Sequence, residues 1–195
     1  MNTDEVLERF RRTGALLEGH FVLTSGLHSA SYLQCALVLQ HPREAEALGR
    51  AIAERVRGEA VETVVTPAIG GIVIGWEVAR ALGVRSIWTE REAGKMTLRR
   101  GFTVGRGESV LVVEDVVTTG GSTRETADAM REAGARVIGA ASIIDRSGGR
   151  ADVGVPRLAL ATLDVPTYAP ANCPLCAEGL PAIKPGSRKT VTSGE

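Results

Sequence analysis

The stretch from Val110 to Thr123 constrains the fold more than any other part of the sequence. It begins with an unbroken β-branched and aliphatic run, Val110–Val113, which is typical of a strand buried on both faces. Two acids, Glu114 and Asp115, follow where such a strand should leave its sheet. Six glycine or hydroxyl residues, Thr118–Thr123, come next. This order predicts a buried strand, paired acids and a small-residue loop.

A helical pattern follows the loop directly, and Ser122 and Glu125 are spaced as a capping box for that helix. Backbone N–H groups of a small-residue loop and of a helix N-terminus can all point at one anion, and hydroxyl groups add further donors. The paired acids would repel a phosphate, so we expect them to face hydroxyl groups or a metal ion. A sugar phosphate carries both kinds of group. The alternative is a plain polar turn after a buried strand.

Residues 114–122 read EDVVTTGGS and resemble the phosphoribosyl diphosphate signature of the type I phosphoribosyltransferases. The segment is neither a Walker A loop, because no Gly-Lys-Ser/Thr follows, nor a dinucleotide fingerprint. The resemblance implies that the whole segment binds the donor: Glu114, Asp115, Val116, Val117, Thr118, Thr119, Gly120, Gly121 and Ser122. It also implies the type I phosphoribosyltransferase fold, an α/β fold whose open parallel sheet is flanked by helices, with a small N-terminal hood.

Strand and helix patterns alternate through the middle of the chain, which independently favours an open parallel sheet with right-handed crossovers. Ligands bind such sheets at the carboxyl ends of the strands. With 195 residues, the chain is expected to form one phosphoribosyltransferase domain over residues 1–195. We place the hood at about residues 1–40 and an irregular tail at residues 165–195, where five of the eight prolines lie.

The composition of the chain excludes several classes of protein function. The formal net charge is zero, which gives no basic footprint for nucleic acid. No apolar run approaches the length of a membrane span, and the N-terminus lacks the pattern of a secretory signal. Three cysteines are too few for a disulfide framework. We therefore expect a cytoplasmic protein without a nucleic-acid or membrane partner.

The segment His20–Tyr32 alternates apolar and polar residues and breaks at a Ser-Gly pair, which predicts a hairpin outside the main sheet. It resembles the hood of orotate phosphoribosyltransferases, which covers the sugar and the base. That resemblance places Ser25, Ser29 and Tyr32 near the ligand, with Ser25 and Tyr32 binding orotate. These enzymes commonly have a lysine where this chain has Thr24. A plain surface hairpin is the alternative.

A second small-residue turn, residues 66–71, ends the predicted strand Val61–Thr66 and leads into a helix. In the family this turn holds the diphosphate with backbone amides, a task that needs close backbone approach and hence glycine. The resemblance assigns Ala68, Ile69 and Gly70 to that task. Many orotate enzymes have a lysine where this chain has Gly70. A simple βα turn with a glycine cap is the alternative.

The chain is locally basic from Arg85 to Arg106, with six basic and two acidic residues. A solvated face is the usual meaning of such a run. This one resembles the mobile catalytic loop of orotate phosphoribosyltransferases, which closes over the diphosphate in the neighbouring subunit's site and implies a homodimer. We map Arg91 and Lys95 onto its basic positions. The loop's usual histidine is missing, and Arg99 or Arg100 could compensate, with Arg99 assigned to the donor.

An arginine, Arg146, follows the hydrophobic strand predicted over Val137–Ile144. In orotate enzymes an arginine at this point pairs with the substrate carboxylate, which its fork can bind through two hydrogen bonds. The resemblance therefore assigns Arg146 and Thr118 to orotate. From its position alone, Arg146 could equally be a surface charge at a strand end.

The tail contains one C-x-x-C motif, Cys173 to Cys176. A structural zinc site needs four ligands, so a single pair is a weak zinc signal unless a dimer supplies a second pair across its axis. A redox pair is another alternative. We interpret the two residues as ordinary structural cysteines.

Together, these resemblances imply an enzyme that transfers the phosphoribosyl group of 5-phospho-α-D-ribose 1-diphosphate to orotate in pyrimidine biosynthesis. Mg²⁺ would bind through the donor's diphosphate and ribose oxygens. Glu114 and Asp115 would hold the ribose 2- and 3-hydroxyls, directly or through water bound to the metal. Lys95, Arg91 and Asp115 would carry the catalysis. A purine or uracil phosphoribosyltransferase and a non-catalytic donor-sensing regulator of the same fold are the alternatives.

Overall fold

The computed structural model describes residues 1–23 and 25–185, and within them the chain forms two sheets. In chain order the strands are β1 (Leu16–Val22), β2 (His28–Leu33), β3 (Thr63–Pro67), β4 (Arg85–Glu92), β5 (Lys95–Leu98), β6 (Ser109–Val117), β7 (Arg136–Asp145), β8 (Arg157–Thr162) and β9 (Thr167–Tyr168). The helices are α1 (Thr3–Arg12), α2 (Cys35–Leu39), α3 (Pro42–Arg55), α4 (Gly71–Leu82), α5 (Gly121–Glu132) and α6 (Pro174–Ala177), with a 3-10 turn at Pro170–Asn172.

The main sheet has six strands in the order β5-β4-β3-β6-β7-β8. All neighbours are parallel except β4 and β5, which pair antiparallel at one edge. The crossovers β3–β4 and β6–β7 run through α4 and α5, as expected for parallel neighbours that need a long connection. The predicted fold class, an α/β fold with a mostly parallel sheet flanked by helices, is confirmed.

Strand β6 lies between β3 and β7, and Val110–Val113 is fully buried there. This central position explains the unbroken apolar run, because both faces of the strand are covered. The strand is longer than predicted. It continues through the acids to Val117, which pairs with Asp145 of β7. The acids therefore lie within the last residues of a paired strand rather than beyond its end.

Two apolar clusters cover the two faces of the main sheet. On one face, α3 and α4 contribute residues such as Ile52 and Ile74. On the other, α5 contributes Ala127 and Met130, which pack against Val112 of β6. These side chains are removed from water, at about 25 cal/mol per Å² of apolar surface, and this burial holds the helices against the strand ends.

The predicted hairpin outside the main sheet is present as β1 and β2, which pair antiparallel. A third strand, β9, comes from the tail and pairs with β2, so that Tyr168 lies opposite His28. We define the hood as this three-stranded sheet. Nothing in the local pattern of residues 165–170 indicates the added strand, because it is only two residues long.

The segment expected to be a loop over residues 90–100 is largely a hairpin. Strands β4 and β5 pair from Thr89 to Leu98, and the turn between them lies at Ala93 and Gly94, with φ angles of 48° and 85°. We call this element the basic hairpin, residues 85–98. Thr89 is also opposite Pro67, the last residue of β3. The tip of the basic hairpin therefore projects beyond the carboxyl end of β3.

The predicted capping box of α5 is wrong. The helix begins at Gly121 with Gly120 as its N-cap, and no side chain caps it. Ser122 lies inside the first turn, where its hydroxyl cannot act as an N-cap. Glu125 instead forms an ion pair with Arg91 of the basic hairpin, at 2.8 Å. No helix in the described ranges is both long and apolar enough to cross a membrane.

Candidate active site

The predicted ligand-binding segments converge because their strands are neighbours. Strands β3, β6 and β7 are adjacent and parallel, so their carboxyl ends meet at one edge of the sheet. The turn at residues 68–70, the segment 114–122 and Arg146 all lie at that edge. An open parallel sheet binds ligands at such an edge.

Glu114 and Asp115 form the acidic centre of this edge. Burial raises the pKa of Glu114 to about 7; the Thr123 hydroxyl, which donates to its carboxylate, opposes that rise, and the neighbouring charge of Asp115 adds to it. Burial also raises the pKa of Asp115, although backbone N–H groups and the Cys35 thiol hydrogen-bond to it. Two partly desolvated carboxylates need a partner that carries positive charge or donates hydrogen bonds.

Gly70 packs directly against one of these acids. A Cβ atom added at Gly70 would lie 3.0 Å from both carboxylate oxygens of Asp115. A lysine at position 70 would therefore require Asp115 to move. The lysine that many orotate enzymes have here is absent, and the Asp115 carboxylate packs against the glycine in its place.

The acids fit a magnesium site. In residues 1–23 and 25–185, no lysine or arginine forms an ion pair with Glu114 or Asp115. Paired carboxylate oxygens beside a place for phosphate oxygens are the donor set that Mg²⁺ prefers. Glu114 and Asp115 could therefore hold the ion directly or through its water.

The loop after β6 is shaped for an anion. Thr118 and Thr119 are exposed, and Gly120 has a φ of 81°, where an added Cβ would also lie 2.7 Å from Val153. The first hydrogen bond within α5 runs from the Arg124 N–H to the Gly120 carbonyl at 2.9 Å. The N–H groups that precede it have no acceptor within the helix, so they can donate to a phosphate.

A cleft of about 470 Å³ lies between the hood and this edge of the sheet. Four of its lining residues are the ones assigned to orotate from the sequence: Ser25, Tyr32, Thr118 and Arg146. A larger cleft of about 640 Å³ lies over α1 and α3, but side chains of both charges line it and no strand end reaches it. The smaller cleft is therefore the candidate site.

Arg146 is a cation largely removed from water at the floor of this cleft. Burial lowers the pKa of its guanidinium, and the nearby Tyr32 and Cys35 oppose that shift. Its Nε has no hydrogen-bond partner among the described residues. An arginine stays charged at neutral pH, so a buried guanidinium with an unused donor favours an anionic ligand.

Asp145 stabilises the backbone on either side of Arg146. Its buried carboxylate accepts hydrogen bonds from the Ser147 N–H and from Arg157 Nη1, at 2.7 and 2.6 Å. Burial tends to raise the pKa of Asp145, but these hydrogen bonds outweigh it and lower the pKa. The Arg146 N–H donates to the Val117 carbonyl at 2.8 Å, which ties the ends of β6 and β7 together.

The basic residues near the tip of the basic hairpin differ in their partners. Arg91 forms its ion pair with α5, and Arg99 lies 3.3 Å from a carboxylate oxygen of Glu92. Arg100 contacts Glu90. Lys95 is exposed, and it forms no ion pair within the described part of the chain.

The structure does not bring every expected residue to the cleft. Ser29 is fully buried, and its hydroxyl donates to the Pro166 carbonyl at 3.4 Å, so Ser29 faces the tail rather than the ligand. Thr24 lies outside the described residues. Two residues that the sequence did not indicate contact the acids, namely Cys35 and Thr123.

Comparisons with known proteins agree with this geometry. A family model described as phosphoribosyl transferase domain matches residues 36–156. The chain is 57% identical to the orotate phosphoribosyltransferase of Pelotomaculum thermopropionicum over 189 residues, covering 97% of this chain and 100% of that protein. It is 56% identical to the orotate phosphoribosyltransferase of Heliobacterium modesticaldum over 96% of this chain and 100% of the relative.

Solved structures are similar as well. The orotate phosphoribosyltransferase from Aeropyrum pernix matches with a TM-score of 0.65 and 27% identity, covering 81% of this chain and 93% of that one. A phosphoribosyltransferase from Corynebacterium diphtheriae matches with a TM-score of 0.66 and 26% identity, covering 82% and 95% of the two chains.

The contact between Thr123 and Glu114 can be tested by titration. We expect Thr123→Val to raise the pKa of Glu114 above about 7, because the variant removes a hydroxyl that stabilises the carboxylate. The measurement is an NMR titration of the Glu114 carboxyl carbon, assigned with Glu114→Gln. Thr126→Val is the control, since its buried hydroxyl hydrogen-bonds Thr89 instead. An unchanged or lowered Glu114 pKa in Thr123→Val would contradict the assignment.

Proposed function

Because the chain belongs to the phosphoribosyltransferase domain family, we infer that it transfers the phosphoribosyl group of 5-phospho-α-D-ribose 1-diphosphate to orotate. The products are orotidine 5′-phosphate and diphosphate, and the reaction is a step of pyrimidine biosynthesis. Relatives that are similar over nearly their full length carry this activity in their names. Arg146, a half-buried cation in the candidate cleft whose Nε has no partner among the described residues, is the observation that carries the choice of acceptor.

Orotate has a carboxylate, which suits the unused donor of Arg146. We place that carboxylate on the Arg146 guanidinium, with Thr118 of the donor loop beside it. Ser25 and Tyr32 form the hood side of the same cleft and would contact the pyrimidine ring. Purines and uracil lack the carboxylate, so they would leave the guanidinium buried and unpaired.

The donor would lie along the edge of the sheet. Its 5-phosphate accepts from the N–H groups and hydroxyls of residues 118–122, and its ribose hydroxyls donate to Glu114 and Asp115. Backbone amides of residues 69 and 70 hold the diphosphate, and the closeness of Gly70 to Asp115 supports this. The expected contact from Ala68 is not available, because its N–H donates to the Thr89 carbonyl at 2.8 Å. When bound with the donor, Mg²⁺ neutralises part of the diphosphate charge.

The chemistry is a substitution at C1 of the ribose. As the bond from C1 to the diphosphate oxygen breaks, positive charge grows on the ring and the bonding electrons leave with the diphosphate. The ionised ring nitrogen of orotate forms the new bond to C1, so no strong base is needed. The carboxylate of Asp115 stabilises the positive charge on the ribose ring, and Lys95 and Arg91 stabilise the negative charge on the leaving diphosphate.

Lys95 is the best candidate for the main catalytic cation. Arg91, Arg99 and Arg100 each have an acidic partner, whereas Lys95 at the tip of the basic hairpin has none in the described ranges. Lys95 can therefore bind a diphosphate without first breaking an ion pair. We keep Arg91 and Arg99 as further donor contacts.

We propose that Lys95 acts in the partner subunit of a homodimer. An apolar patch on the turn at residues 68–70 and the first half of α4 supports self-association: Ile69, Val73 and Trp76 are 84%, 45% and 59% exposed. Monomeric proteins rarely expose a contiguous patch of large apolar side chains. We also propose that the protein works in the cytoplasm, which its free cysteines suit, and that it needs neither nucleic acid nor a membrane.

The acceptor choice is tested by assaying orotate, uracil, hypoxanthine and adenine, each with the donor and Mg²⁺. We expect turnover of orotate, and kcat/KM values at least about 100-fold lower for the other bases, because only orotate pairs with Arg146. A spectrophotometric assay follows each base. Turnover of a purine without turnover of orotate would refute the proposed function.

The role of Arg146 is tested by Arg146→Gln. Loss of a charge-assisted pair should raise the KM for orotate about 10- to 100-fold, with a much smaller change in the KM for the donor. Arg150→Gln is the matched control. Arg150 lines the same cleft, but it is 69% exposed and pairs with Asp164 at 2.8 Å. Equal effects of the two variants on the KM for orotate would remove Arg146 from the acceptor site.

Mixed dimers test whether Lys95 acts across the subunit interface. We expect Lys95→Ala and Asp115→Asn each to abolish most activity. Co-expression of the two should restore up to about one quarter of the wild-type activity, because half of randomly paired dimers are mixed and each has one intact site. If Lys95 acts within its own chain, every mixed site keeps one defect and no activity returns.

A further inference from the structure

Two histidines and two cysteines converge on one point, away from the acidic centre. They are His20 of β1, His28 of β2, and Cys173 and Cys176 around α6. One nitrogen or sulfur atom from each lies within 4.8 Å of the others. The chain has three histidines and three cysteines, so most of its soft metal ligands are in this cluster. Nothing in the proposed reaction uses them.

The distances between nitrogen and sulfur atoms are close to those of a tetrahedral site. With zinc bonds of about 2.3 Å to sulfur and about 2.05 Å to nitrogen, neighbouring nitrogen and sulfur ligands are about 3.6 Å apart. Here the Cys173 and Cys176 sulfurs lie 3.6 and 3.8 Å from His20 Nε2, and Cys176 lies 3.3 Å from His28 Nδ1. The two nitrogens are 2.8 Å apart, so the rings need to separate by about half an ångström to hold the ion.

A hydrogen bond outside the cluster fixes the ligand atom of His20. Its Nδ1 lies 2.7 Å from the Leu180 carbonyl, which can only accept. Nδ1 therefore carries the proton, and Nε2 turns its lone pair towards the two sulfurs. Metal-bound histidines are oriented by such a bond from the second ring nitrogen to a carbonyl or carboxylate. This bond therefore leaves Nε2 as the ligand atom of His20.

We propose that His20, His28, Cys173 and Cys176 form a structural zinc site. Two thiolates and two imidazoles in tetrahedral array favour Zn²⁺ over the hard ion Mg²⁺, which takes oxygen ligands in an octahedron. Four protein ligands leave no open position for a substrate. Three of the four side chains are buried, which protects the site from exchange with solvent.

The site joins the hood to the tail. Its histidines come from the hairpin β1–β2. Its cysteines lie more than a hundred residues later, at the N-cap and inside a helix of only four residues. So short a helix has little stability of its own. Nearby backbone bonds continue the connection, since Ile183 donates to the His20 carbonyl and accepts from the Val22 N–H, both at 2.8 Å. The zinc ion would cross-link the hairpin β1–β2 to the tail around α6.

Metal content is the first test, on the full chain with any affinity tag removed and with no chelator in the buffers. We expect about one zinc per chain by elemental analysis. Replacement by Co²⁺ should give the visible bands of a tetrahedral site and a thiolate-to-cobalt charge-transfer band. Cys176→Ser and His28→Ala should lose most of the zinc and the thiolate-to-cobalt band.

Matched controls exist for both ligand types. His41→Ala changes an exposed histidine, and Cys35→Ser changes a cysteine outside the cluster. Both variants should keep about one zinc per chain. Equal zinc content in Cys176→Ser and the controls would overturn the proposal, because the metal would then be bound elsewhere.

Wild-type protein alone provides a second test, which does not depend on folding of the variants. A mercurial reagent that blocks thiols should release the zinc to a colorimetric dye, and a chelator should lower the melting temperature by several degrees. A wild-type chain that holds no zinc and gives no cobalt spectrum would overturn the proposal. So would a disulfide between Cys173 and Cys176 in protein purified without oxidant. All these readings are made without substrates, so an inactive but zinc-loaded protein would refute only the proposed function.

Discussion

The buried end of β6 is the constraint on which the rest of the site depends. The strand is central, so its apolar half needs cover on both faces, and its continuation carries Glu114 and Asp115 into a region with little water. Desolvated carboxylates are costly without donors or cations. The surroundings reduce that cost with hydroxyl and thiol donors from Thr123 and Cys35, and Gly70 leaves the room that Asp115 occupies.

The two sides of the site carry opposite charge. The acids lie at the end of β6, and Arg146 lies at the end of the neighbouring β7, with its backbone tied to β6 at Val117. A ligand pair with hydroxyl groups on one component and a carboxylate on the other can bind in only one orientation between them. Orientation is thus built into the order of the strands, because adjacent strand ends hold fixed positions relative to each other.

The sequence predicted those features of the site that are contained in one continuous segment. The apolar run of β6, the hairpin at His20–Tyr32 and the arginine after β7 each occupy one segment, and each was placed correctly in the fold. The prediction of a capping box was wrong because Ser122 and Glu125 have the right spacing but α5 begins two residues before the position that would make Ser122 its N-cap. Cys35, the approach of Gly70 to Asp115, and the two histidines near the C-x-x-C motif depend on tertiary contacts, which spacing along the chain does not reveal.

The hood is built from both ends of the described chain. Its hairpin is among the first residues to be made, but its third strand and the segment around Cys173 follow only after the main sheet is complete. Synthesis proceeds from the N-terminus, and segments fold as their partners become available. The loop after β6 and the acids can therefore assemble while the hairpin β1–β2 still lacks β9 as its neighbour. With the proposed function, a nascent chain would acquire the groups that hold the sugar phosphate before those that enclose the base.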